Sequence, residues 1–253
     1  MQLQGKTALI GGAGRNNGKS IALAFAREGA DLILVSKQRE DELKSVAKQC
    51  ETFGVKTLPL LADLSNHDEV NRMVRVGLDR FGKVDVLVSV AGMRPHGDIW
   101  NTSYEQWHQV MAVNLHSTFY LAKAVMPGMM ERKTGNIIAL GGGASLAPQP
   151  HQATVVVSKH GLYGLIKSLA LELGPYGVRA NLIAVGFINT ERRNPEWYPE
   201  FGGVPYTQPE IRRLTLGRIG TPQEVANVAL FLASDRSSYV TGDRIVCAGG
   251  QYM

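Results

Sequence analysis

Gly5-Lys6-Thr7-Ala8-Leu9-Ile10-Gly11-Gly12-Ala13-Gly14-Arg15-Asn16-Asn17-Gly18-Lys19 is the stretch around which the chain is organised. Thr7 to Ile10 is a short apolar run and reads as a first strand. A glycine-rich turn follows, and a helix is expected from about Gly18 through Ser20-Ile21-Ala22-Leu23-Ala24-Phe25-Ala26. Strand, glycine turn and helix together make a phosphate cradle. Glycines let backbone approach a pyrophosphate, and the N–H groups of the helix N-terminus point at it. The spacing departs from the usual G-x-G-x-x-G. Gly12, Gly14 and Gly18 are present, and Asn16 stands where a glycine is common. An ordinary tight strand-to-helix turn has the same local signature, so the rest of the chain has to decide between the two.

Outward from this stretch, apolar strands alternate with helical patterns. Asp31 to Ser36 is a buried second strand, and the next helix puts Leu43, Val46, Ala47, Cys50 and Phe53 on one face. Thr57 to Ala62 is a third strand ending at Asp63. Ser65, with Asp68 three residues on, starts a helix with Val70, Met73, Val74, Gly77 and Phe81 inward. Val84 to Val90 is a fourth strand running into Ala91-Gly92. Ser103 with Gln106 makes a capping box for one long helix through Asn114 to about Met130. Asn136 to Leu140 is a fifth strand, ended by Gly141-Gly142-Gly143. A helix from about Thr154 to Leu173 stops at Gly174-Pro175, and Ala180 to Val185 is a sixth strand. Residues 186–216 read as an irregular lid holding Pro195, Pro199, Pro205 and Pro209. Thr221-Pro222-Gln223-Glu224 is a capping box opening the last helix, and Asp243 to Ala248 is a seventh strand.

Repeated βα units predict an α/β fold: a doubly wound, parallel, seven-stranded sheet of Rossmann type in a single domain over residues 1–253. Ligands of such sheets sit at the carboxyl ends of the strands. The 253 residues suffice for one well-filled core, and 44% hydrophobic with 19% charged residues is a globular composition. No apolar run reaches the length of a membrane span, and no charged-then-apolar leader opens the chain. Two cysteines, Cys50 and Cys247, are too few for a disulfide framework and fit a cytoplasmic setting. The net charge of +5 suits an anionic cofactor or substrate, and no basic block interleaved with aromatics points to nucleic acid. The histidines show no metal-ligand spacing.

Taken together, these pieces resemble the short-chain dehydrogenase/reductase family over essentially the full length. The matching pieces are Gly12 to Gly18, Asp63-Leu64, Ala91-Gly92, Val113-Asn114-Leu115 and Ser158-Lys159. Gly186-Phe187-Ile188-Asn189-Thr190, Leu232-Ala233-Ser234-Asp235 and Val240-Thr241-Gly242 complete the set. The resemblance implies a nicotinamide cofactor and a homotetramer. It implies that Asp63 accepts from the adenine amino group and that Lys159 holds the nicotinamide ribose. Ile188 and Thr190, with Gly186, would bind the carboxamide and pyrophosphate end. Family members that use NAD carry an acidic residue at the end of strand two. Here that place holds Ser36-Lys37, with Arg15 in the glycine loop beside Asn16 and Asn17. Two cations without a carboxylate suit a 2′-phosphate, so NADP(H) is expected over NAD.

The catalytic half departs from the family. Its tyrosine lies four residues before the lysine, where both share a helix face; here that residue is Val155. Its serine after strand five matches Gly142, with Ser145 three residues on and out of register. Of the four-residue set only Asn114 and Lys159 remain. A pocket rebuilt for another substrate and a pocket in decay both fit this pattern. Carbonyl reduction needs a proton donor within hydrogen-bond reach of the forming alkoxide. His96, at the mouth of the site, and His151 are the candidates, or a water ordered by Lys159 and Asn114. Arg94 could bind a substrate carboxylate; Gly142, Gln152, Val155 and Trp197 would face the substrate as well. The lid offers Arg192, Arg193, Trp197, Tyr198, Phe201 and Tyr206, a composition that suits a flat, anionic small molecule. The expectation is an NADP(H)-dependent oxidoreductase with a non-standard proton donor. The alternatives are a lyase or hydrolase on the same scaffold, and a cofactor-binding homologue without turnover.

Overall fold

The computed structural model describes residues 1–191, 193, 197, 208–212 and 214–252. The seven strands are β1 (Thr7–Gly11), β2 (Asp31–Ser36), β3 (Thr57–Leu61), β4 (Val86–Ser89), β5 (Gly135–Leu140), β6 (Val178–Val185) and β7 (Arg244–Cys247). They form one parallel sheet in the order β3-β2-β1-β4-β5-β6-β7. β1 pairs with β2 on one side and β4 on the other. Successive crossovers therefore run in opposite directions from this point, and their loops part above the carboxyl ends of β1 and β4.

The helices are α1 (Asn16–Arg27), α2 (Glu40–Glu51), α3 (His67–Phe81), α4 (Tyr104–Met111), α5 (Ser117–Glu131), α6 (Ala153–Leu173), α7 (Gln208–Arg212) and α8 (Pro222–Ala233). Alternation along β1 sends Ala8 and Ile10 to one face and Leu9 to the other. On the first face they pack with Phe25 of α1, Leu43 of α2 and Val225 of α8. On the second, Leu9 and Ile33 pack with Val70 of α3, Leu121 of α5 and Ile166 of α6. Each of these side chains is removed from water, at about 1.5–3 kcal/mol apiece for the larger ones. The sheet is thus fixed from both sides, and its strand ends form a rigid base for the loops above.

Several boundaries differ from the sequence reading, each for a local reason. Helix α1 begins at Asn16 rather than Gly18: the Lys19 amide already bonds the Arg15 carbonyl at 3.1 Å, and Asn16 enters the helix with a left-handed φ of 49° that asparagine tolerates. Asn66, not Ser65, caps α3: its Oδ1 accepts from the Asp68 and Glu69 amides, while the Ser65 hydroxyl donates to Asp63. The expected single helix through Asn114 is two helices joined by a π-helical turn over Ala112–His116. Within the lid, Gln208–Arg212 is helical rather than irregular. The capping box at Thr221 and Glu224 is formed as read. Arg192, Tyr198, Phe201 and Tyr206 lie outside the described residues, as do Pro195, Pro199 and Pro205. Among the described residues no helix is long and apolar enough to cross a membrane.

Candidate active site

The glycine loop leaves β1 through Gly12, whose φ of +92° demands glycine. The amides of Gly12 and Ala13 both donate to the Val35 carbonyl at 2.9 Å, tying the loop to β2. Gly18 is required by crowding instead: a Cβ there would lie 2.0 Å from the Gly12 carbonyl oxygen. The N-terminus of α1 has no side-chain cap and no acidic residue in its first turn. Its partial positive charge faces the crevice with no carboxylate of its own first turn to neutralise it.

A cavity of about 370 Å³ opens there. One end is lined by Gly12, Arg15, Asn16 and Asn17. The walls are Val90 to Arg94 and Leu140 to Ala144, and Gly186 to Ile188 closes a third side. These lie at the carboxyl ends of β1, β4, β5 and β6; the residues after β2 and β3, Ser36-Lys37 and Asp63-Leu64, are not part of this lining. Val155, Gln152, Lys159, Thr190 and Trp197 line it too. Among the described residues, the Asn17 Oδ1 is buried with no hydrogen-bond partner. Asn16 bonds the backbone of Glu191 in both directions, its Nδ2 to the carbonyl at 3.1 Å and its Oδ1 from the amide at 3.0 Å. It latches the segment after β6 across the glycine loop.

At the far side of β2, Lys37 Nζ pairs with Asp63 Oδ2 at 2.6 Å. Burial tends to raise the Asp63 carboxyl, but the bonds from Lys37 and from the Ser65 hydroxyl and amide outweigh it and hold it below the usual range. Ser36 donates its hydroxyl to the Gln38 carbonyl. Arg193 bridges Glu191 and Glu42, the latter in the first turn of α2, and both bonds raise its pKa. Arg15 is pushed the other way, by burial first and then by the neighbouring Arg193 charge. Leu64 packs into the core against Gly11. Cation and carboxylate are therefore mixed here, with Lys37 committed to the very aspartate expected to take adenine.

The opposite end is built on α6. Lys159 points inward, 8% exposed, and its Nζ donates to the Leu140 carbonyl at 2.8 Å. Burial depresses its pKa to about 8. Asn114 sits behind the lining. The π-helical turn swings it toward the loop after β4, where Oδ1 accepts from the Met93 amide at 2.8 Å and Nδ2 donates to the Met93 carbonyl and Ser158 Oγ, each at 3.0 Å. Its side chain positions that loop against α6. Val155 and Gly142 both line the cavity and carry no proton. Ser145 does not reach in: it is fully buried and donates its hydroxyl to the Gly142 carbonyl at 2.7 Å.

The two histidines are brought together, but on the rim. Their rings stand 5.2 Å apart, and His151 Nδ1 bonds Asp98 Oδ1 at 2.6 Å. The lining includes their neighbours Arg94 and Gln152 and neither histidine. The sequence reading missed two lining residues of evident chemistry, Glu191 and Tyr252, the second of which follows the last strand by five residues. Its hydroxyl lies 1.6 Å from the point a Cβ of Gly143 would occupy.

Residues 12–251 match a family model described as enoyl-(acyl carrier protein) reductase. A 3-oxoacyl-acyl-carrier-protein reductase of Thermotoga maritima is 36% identical over 250 residues, covering 99% of both chains. The reductase of the same description from Escherichia coli is 33% identical over 253 residues and the whole of both chains. Among solved structures, levodione reductase superposes with a TM-score of 0.93 at 27% identity, over 99% of this chain and 98% of that one. A 7α-hydroxysteroid dehydrogenase complexed with NADH and 7-oxo glycochenodeoxycholic acid gives a TM-score of 0.89 at 28% identity, over 98% and 95%.

Proposed function

The chain belongs to the short-chain dehydrogenase/reductase family of oxidoreductases, and from that premise we propose that it is NADP(H)-dependent and interconverts a small, flat or acidic carbonyl compound and its alcohol, with a proton donor other than the family's tyrosine, whose place Val155 holds. The observation that carries this reading is one cavity that joins the glycine loop and the N-terminus of α1 to the buried Lys159 and is lined by Val155 and Gly142, neither of which can donate a proton.

The residues fit a nicotinamide dinucleotide. There is no room for a Cβ at Gly12 or Gly18, so at these two positions bare backbone can approach a bound group. The buried Asn17 Oδ1, unpartnered among the described residues, has an acceptor to offer there. Gly12, Gly14 and the first amides of α1 would hold the pyrophosphate, and Asp63 with Leu64 the adenine. Ala91 and Gly92 would line the middle, Lys159 the nicotinamide ribose, and Gly186, Ile188 and Thr190 the carboxamide. When bound, the nicotinamide supplies a hydride. Arg15, with Ser36 and Lys37, favours a 2′-phosphate, because the carboxylate that would repel it is absent from the end of β2. Asp63 competes for Lys37, so Arg15 is the stronger contributor.

Arg94 and Trp197 on the lining support an acidic or aromatic substrate. The names of the relatives support a carbonyl as the reacting group. Exposed Tyr104, Phe119 and Val157 on successive helices support assembly into a homotetramer, testable by sedimentation. The direct test is a fluorescence titration with NADPH and NADH, followed by turnover with oxo acids and 3-oxoacyl thioesters. Tighter binding of NADPH and its consumption by one of these carbonyls are expected. Binding without consumption would leave a cofactor-binding homologue, and no binding of either nucleotide would end the oxidoreductase reading.

A further inference from the structure

We propose that Tyr252, delivered by the C-terminal segment, is the residue that protonates the substrate oxygen. The inference rests on the oxidoreductase reading and deepens it. After β7 the chain turns through Gly249 and Gly250, both left-handed with φ of 60° and 82°. Bonds from the Leu216 amide to the Gly249 carbonyl and from the Gln251 amide to the Ala248 carbonyl fix the turn. It carries the Tyr252 ring over the strand-end loop after β5. There the hydroxyl fills the space left by the absent side chain of Gly143, with the ring carbon that bears it 2.6 Å from the same point. No residue larger than glycine at 143 is compatible with this placement.

The lining offers few rivals. Along the described lining, Thr190 is too weak an acid and Glu191 is held ionised by Arg193, so neither has a proton to give. Lys159 donates to Leu140 from the cavity wall. Tyr252 shares the cavity with Lys159, whose charge would favour a phenolate. The step balances with a reduced nicotinamide dinucleotide as two-electron reductant. The carbonyl carbon accepts hydride, the carbon–oxygen π bond breaks toward oxygen, and that oxygen takes the Tyr252 proton. Solvent returns a proton to the phenolate through the open side of the cavity.

Two variants and a probe test this. Tyr252→Phe removes only the hydroxyl. Gly143→Ala keeps it but places a methyl where it lies. Both are expected to bind NADPH like the parent and to lose turnover by about 10²–10⁴-fold. A fluorotyrosine at 252, followed by fluorine NMR, is expected to shift on NADPH binding, and its titration midpoint is expected to rise in Lys159→Met. Parental turnover in Tyr252→Phe, or a fluorine signal indifferent to NADPH and to Lys159, would overturn the proposal and leave the oxidoreductase reading standing. A parent protein that transfers no hydride to any carbonyl would instead remove both, so the two failures are distinct.

Discussion

Replacing Lys159 by methionine would trade function for stability, and the trade has a defined pH signature. The Lys159 ammonium is held by one carbonyl, that of Leu140, in a cavity wall that otherwise offers it no counter-charge among the contacts described. Its pKa lies at about 8 against an ordinary 10.5. At about 1.4 kcal/mol per pH unit, that gap costs the native state about 3 kcal/mol at neutral pH. Methionine keeps the length of the side chain and removes the charge. It forfeits the bond to Leu140, about 1.5–3 kcal/mol for a charged donor. The variant should therefore equal or exceed the parent at pH 7, by up to about 2 kcal/mol. The sign with pH follows from proton counts. Between about 8 and 10.5 the unfolded chain binds more protons at this site than the native one, so parental stability rises with pH through that window. Urea unfolding at pH 7 and above pH 10, read as parent minus variant, cancels the other titrating groups. The difference should move by about 3 kcal/mol toward the parent as pH rises. A pH-independent difference would refute the assignment of Lys159 as a buried, desolvated cation.

Gly18→Ala should open the cradle, because the new Cβ collides with backbone at 2.0 Å rather than with a yielding side chain. A loss of about 1–3 kcal/mol in urea unfolding and loss of nucleotide binding are expected. Arg15→Ala should weaken NADPH by about tenfold to a hundredfold, the worth of one charge-assisted bond, and leave NADH unchanged in the same fluorescence titration. Val155→Tyr with Gly142→Ser would rebuild the family's donor pair. Space exists at 142, where an added Cβ would lie 3.9 Å from the Val185 carbonyl oxygen, but its φ of +71° costs about 1–2 kcal/mol for a non-glycine residue. A less stable protein with gained or increased carbonyl reduction is expected, measured by NADPH consumption.

The sheet was legible because buried parallel strands are short apolar runs, and β2 was placed to the residue at Asp31–Ser36. The tight glycine turn after β1 was legible because glycine is required where backbone must approach backbone, as at Gly12 and Gly18. What periodicity cannot carry is a single extra residue in a helical turn, so the π-helical turn that aims Asn114 at Met93 read as continuous helix. Nor does it carry direction within a loop. His96 and His151 follow strand ends as expected, yet they face each other on the rim, where His151 bonds Asp98. Ser65 and Asn66 are both competent caps, and only the competing demand of Asp63 on Ser65 decides between them. Tyr252 carried no periodic signal at all. Its trace in the sequence is indirect: three consecutive glycines at 141–143, one of which makes room for its hydroxyl.

The central claim is hydride exchange with a carbonyl inside this cavity, and deuterium tests it most directly. NADPH labelled at one face of nicotinamide C4 would be incubated with the protein and the oxo acid that consumes it, and the alcohol weighed by mass spectrometry. The account predicts one deuterium at the former carbonyl carbon from one labelled face and none from the other, as an oriented site requires. NADPH that binds tightly, yet keeps its label with every carbonyl offered, would contradict it.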